Sequence, residues 1–77
     1  MSTYGGYYVI FVDILDTPGI IGKISTVLGE NGINIKNIGI GNSRAYEGGA
    51  LQIAFEYVEH RDKTVRILGE LGYTTYL

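Results

Sequence analysis

Three short stretches carry the residue types that could do chemistry. The first is Asp16-Thr17-Pro18-Gly19, at the point where a hydrophobic run gives way to a helical pattern. A helix N-terminus offers free N–H groups and the positive end of the peptide dipole, which suit a carboxylate. The Asp16 carboxylate beside it could accept a hydrogen bond from an ammonium. Together these match the two charged ends of an amino-acid backbone. The commoner use of such residues is plain helix capping, with Asp or Thr as the cap and Pro18 at the first helical position. The second stretch is Gly32-Ile33-Asn34-Ile35. Asn34 stands among isoleucines at the start of a predicted strand, and its amide both donates and accepts. It fits a polar ligand group and a neighbouring loop backbone about equally well. The third is Gly39-Ile40-Gly41 with Gly48-Gly49. It introduces no helix and lacks a Lys-Ser/Thr ending, so it is not a phosphate loop. Gly39 and Gly41 fit close approach by a neighbouring strand or a ligand, and Gly48-Gly49 fits a hairpin turn.

Catalysis finds little support. Ser25 and Ser43 have no base in view, because His60 falls at the start of the second predicted helix, away from the glycines. Asp13 and Asp16 are near each other in sequence, but Asp13 lies inside a strand. With one histidine and no cysteine, a multi-histidine metal site within one chain is excluded, and so are disulfides and thiolate chemistry. No cofactor is expected.

Net charge −2 and a pI of about 5.1 leave no electrostatic footprint for nucleic acid or an anionic membrane. Arg61, Lys63 and Arg66 are diluted by Glu59 and Asp62 and read as a solvated helix face. No apolar run approaches the ~20 residues that cross a bilayer. The seven tyrosines read as core or interface aromatics. Residues 50–57, ALQIAFEY, carry no Arg or Lys, which sets an RNA-recognition surface aside. Absence of cysteine fits a reducing compartment, and a cytoplasmic location is expected.

The elements that must position these residues follow from periodicity. The chain has 77 residues, one domain with little surplus of core, so covering a face with a second copy would help. Residues 1–6 read as a flexible lead-in and 7–77 as the domain. Residues 7–15, YYVIFVDIL, are apolar at almost every position, as in a central strand covered on both faces. A helix is predicted over 18–30, with Ile20, Ile24, Val27 and Leu28 as its stripe, Ile21 widening it and Gly32 ending it. In 33–41, INIKNIGIG, two alternating isoleucine pairs are out of phase by one residue. Keeping all four inward needs a bulge near Lys36-Asn37. Residues 50–57 form a strand with one buried face. A second helix over 59–70 carries Val65, Leu68 and Leu71, with Ile67 flanking, and YTTYL closes the chain as a strand.

The order strand, helix, strand, strand, helix, strand is the split βαβ, or ferredoxin-like, α+β arrangement. It predicts a four-stranded antiparallel sheet with two helices on one face and the first and third strands central. The opposite face would carry apolar side chains that a partner must cover.

Asp16-Thr17-Pro18-Gly19-Ile20-Ile21-Gly22-Lys23-Ile24 followed by Gly32-Ile33-Asn34-Ile35 resembles the ACT domain, over about residues 8–77. Asn37-Ile38-Gly39-Ile40-Gly41-Asn42-Ser43-Arg44 and Gly49-Ala50-Leu51-Gln52-Ile53-Ala54-Phe55 are most similar to the ACT domains at the C-terminus of bacterial prephenate dehydrogenases. The resemblance implies a regulatory domain, not an enzyme, that pairs side by side and binds an amino acid between copies. Carried over by position, Asp16 and the Pro18-Gly19-Ile20 backbone form one wall of that site, and Asn34 with Ile35 come from the partner. Many members have Asn where this chain has Asp16. The subgroup implies tyrosine or another aromatic effector, a homodimer, and the catalytic domain of a parent enzyme in tyrosine biosynthesis under feedback inhibition. Two alternatives stand beside it. One is a stand-alone pairing module with no ligand. The other is a small acylphosphatase-like enzyme, which would need Arg44 and Asn42 poised for phosphate but has no anion loop before the first helix.

Overall fold

The computed structural model describes residues 3–4, 6–14, 19–41 and 50–77. Its elements are β1 (Thr3–Tyr4), β2 (Tyr7–Asp13), α1 (Ile20–Glu30), β3 (Ile35–Gly41), β4 (Ala50–Phe55), α2 (Val58–Glu70) and β5 (Thr74–Tyr76). β2 and β4 are the central strands and every pairing is antiparallel. β3 lies outside β4, and β5 lies along the other side of β2. With both helices on one face, this is the ferredoxin-like arrangement read from the sequence. Thr3–Tyr4, within the lead-in, add a two-residue strand against Tyr7 and Tyr8 on the β5 side of the sheet.

Alternation decides which side chains make the core. Tyr8, Ile10 and Val12 of β2 stand in register with Phe55, Ile53 and Leu51 of β4, on the face the helices cover. Ile10, Leu51, Ile53 and Phe55 are fully buried there, together with Ile24 and Leu28 of α1 and Leu68 of α2. α1 lies over the β3 side and α2 over β5, β2 and β4.

The bulge predicted in the third stretch is present. Ile35 pairs with Phe55, but Asn37 pairs with Ala54, so Lys36 is the extra residue. That restores the phase and brings Ile38 opposite Ile53 and Ile40 opposite Leu51. The expectation that all four isoleucines turn inward holds only partly. Ile33 is buried, Ile35 and Ile38 are half-buried, and Ile40 is 60% exposed. Ile40 sits near the end of an outer strand, where nothing described covers it.

Both helices end the same way. The Ile33 and Tyr73 N–H groups donate to the carbonyls of Leu28 and Leu68, and the Gly32 and Gly72 N–H groups donate to Gly29 and Gly69. This double bond pattern needs the left-handed conformation at the glycine, and φ is 72° at Gly32 and 93° at Gly72. The helix starts differ from expectation. α1 begins at Ile20, not at 18, because Gly19 is the cap, with φ 82° and no side chain to offer. α2 begins at Val58, one residue early, and Leu71, expected on its buried stripe, lies beyond its end and is 52% exposed. Thr64 is buried in the core instead; its Oγ1 donates to the His60 carbonyl at 2.8 Å, which satisfies the hydroxyl within the helix.

Candidate functional site

The turn from β2 into α1 and the start of β3 were expected to carry the ligand-binding residues. Of these, Asp16 and Pro18 lie outside the described residues. Gly19 is exposed, and its carbonyl accepts the Lys23 N–H at 2.9 Å, the first bond of α1. α1 has no acidic residue in its first turn. Its positive end is therefore not neutralised by a carboxylate of its own helix. Ile20 is half-buried and packs against the core with Ile21.

Asn34 is exposed and stands one residue before β3. Its N–H donates to Nδ1 of His60 at 3.0 Å. Ile35 is half-buried and packs against the core. The two halves of the predicted site are not neighbours within one chain. Gly19 and Asn34 flank opposite ends of α1, whose 11 residues span about 16 Å. The sheet register agrees: Ile35 is level with Phe55 and Tyr8, near the start of β2, whereas Gly41 is level with Ala50 and Asp13, at the end of β2 where the turn toward α1 begins.

His60 is the residue that sequence reasoning passed over. It lies in the first turn of α2, and its contact with Asn34 crosses 26 positions. The signal lay in the strand pairing. Once Ile35 pairs with Phe55, the junction between β4 and α2 must lie beside the residues that lead into β3.

The sheet face away from the helices carries a shallow groove of about 520 Å³. Gly39, Gln52 and Ala54 line it, with Tyr7, Lys36 and Asn37 around them. A methyl group built on Gly39 would meet nothing within 4 Å, so the glycine leaves room there and no close approach within the described chain demands it. Lys36 Nζ stands 3.5 Å from the Glu56 carboxylate, both side chains well exposed. Among the described residues no group of three His, Asp or Glu side chains could hold a metal ion, and no helix is long and apolar enough to cross a membrane. Asn42 and Arg44, the residues an acylphosphatase-like reading would use, lie outside the described residues.

Comparison with known proteins agrees with this architecture. The family model described as "ACT domain" matches residues 8–73. A prephenate dehydrogenase of Bacillus subtilis (strain 168) is 35% identical over 57 residues, which is 74% of this chain but only 15% of that protein. The crystal structure of the ACT domain of prephenate dehydrogenase from Bacillus anthracis superposes with a TM-score of 0.75 at 35% identity, covering 88% of this chain and 99% of that one.

Proposed function

The chain belongs to the ACT domain family, a family of regulatory rather than catalytic domains, and we propose that it senses an aromatic amino acid, tyrosine in the first instance, at a site shared between two copies. One observation supports this reading: Gly19 and Asn34 flank opposite ends of α1, while the outer side of β3 has no partner among the described residues. Antiparallel pairing of β3 with β3 of a second copy about a two-fold axis would bring the start of one strand beside the end of the other. Asn34 and Ile35 of one copy would then face the α1 N-terminus of its partner. The two-fold makes two such sites at once.

In this arrangement the first-turn N–H groups of α1 and its dipole take the effector carboxylate. Asp16 takes the ammonium, the Pro18-Gly19-Ile20 backbone forms the wall, and the Asn34 amide closes the site from the partner. Gly19 suits this role because it leaves the helix end uncovered. The unit 7–77 would act in the cytoplasm on a prephenate dehydrogenase catalytic domain. Effector binding favours the paired state over any other, and that preference would reach the enzyme as a coupling of typically ~1–3 kcal/mol.

Isothermal titration with tyrosine, phenylalanine and the other common amino acids, alongside the mass in solution, tests this. Saturable tyrosine binding to a dimer is expected. No heat with any amino acid would overturn the sensing role and leave a pairing module.

A further inference from the structure

Resting on the shared-site reading above, we propose that His60 is a positioning residue of that site. It fixes the backbone that presents Asn34 to the ligand. Asn34 stands outside the β3 ladder, so its orientation depends on what holds it beyond the sheet. Its N–H is a donor only, and it points at Nδ1 of His60 at 3.0 Å. That nitrogen must therefore offer its lone pair, which puts the ring proton on Nε2.

The ring that does this is itself held. The rings of Tyr57 and His60 meet edge to face, with centroids 5.3 Å apart and an interplanar angle of 69°. The His60 carbonyl accepts the Thr64 hydroxyl at 2.8 Å, and Thr64 is fully buried. One turn along the same helix, Lys63 Nζ donates to the Asn31 carbonyl at 2.9 Å. α2 thus grips both ends of the connection 31–34 between α1 and β3, at Asn31 through Lys63 and at Asn34 through His60. The Asn34 side chain is not the group being held. The grip is on the backbone, and the amide stays exposed and free to meet a ligand. A binding group set on a connection gains affinity when a rigid element fixes that connection beforehand.

The test uses His60→Phe, which keeps a ring near Tyr57 but removes the acceptor, and His60→Asn, whose oxygen falls near the place of Nδ1. His60→Ala serves as a second acceptor-free variant should the Phe variant fail to fold. Two readouts are taken on the full chain: hydrogen exchange at the Asn34 amide without ligand, and the affinity for tyrosine by titration. In His60→Phe the amide should exchange roughly 2- to 10-fold faster and tyrosine should bind weaker by a similar factor, as loss of one exposed hydrogen bond implies. His60→Asn should recover both. Unchanged exchange in the acceptor-free variant overturns the proposal. So does faster exchange with unchanged tyrosine affinity, or failure of the Asn variant to recover. If the unaltered protein binds no tyrosine, the sensing reading fails instead, and the exchange measurements still decide whether His60 holds Asn34.

Discussion

The two faces of one sheet are built to opposite rules. On the helix side, Ile10, Ile53 and Phe55 are fully buried and large, and the helices close over them. On the other side the same strands alternate in small residues, Gly39, Ala50 and Ala54, bordered by Tyr7, Phe11 and Tyr76. Val9 and Ala54 are nevertheless buried there, at 4% and 6% exposure, while Tyr7 and Tyr76 each keep 37%. The first face holds the fold together. The second is closed at its floor and keeps a groove above it.

Truncation on the helix side is the hardest blow to this contrast. Phe55→Ala removes a fully buried ring from the core and should cost about 3–5 kcal/mol, read from urea denaturation. A loss below about 1 kcal/mol would mean that the core is not where the burial places it. The mirror change on the open face is Gly39→Ala. Nothing lies within 4 Å of the added methyl, and a strand glycine gives up more backbone freedom on folding than alanine. A gain of about 0.5–1 kcal/mol is therefore expected, and a clear loss in the same denaturation series would show that this face is packed. The smallest effect is expected at the groove's rim. Lys36→Ala breaks an ion pair with Glu56 in which both side chains are well exposed, worth at most about 1 kcal/mol and less in high salt. A salt-independent loss larger than that would give Lys36 a packing role.

The sequence made the fold legible wherever period and chemistry agreed. The run in 7–15, apolar at all but Asp13, marked a central strand, and the slipped isoleucine phase marked the bulge at Lys36. Gly32 marked the end of the first helix, because the left-handed turn needs it. What misled was local competition. Pro18 reads as a helix start, yet Gly19 takes φ 82° and caps at the next position. Thr64 is polar, yet its hydroxyl bonds back to its own helix and lets it sink into the core. Ile40 reads as core, yet it occupies an outer strand beyond the helices' reach. The site was legible as two motifs and not as a place. Spacing cannot reveal that Asn34 leans on His60, although the helix predicted over 18–30 already sets Gly19 and Asn34 a helix length apart.

That separation makes the central claim directly testable with mixed protomers. Asp16→Ala and Asn34→Ala are prepared separately, each expected to bind tyrosine poorly, and then unfolded and refolded together in equal amounts. A site shared between copies predicts that mixing restores binding, because each mixed dimer joins one unaltered Asp16 to one unaltered Asn34. Random pairing gives about a quarter of the wild-type capacity. No recovery on mixing, with dimers formed and both unmixed variants folded, would contradict the shared site and return the two residues to separate roles.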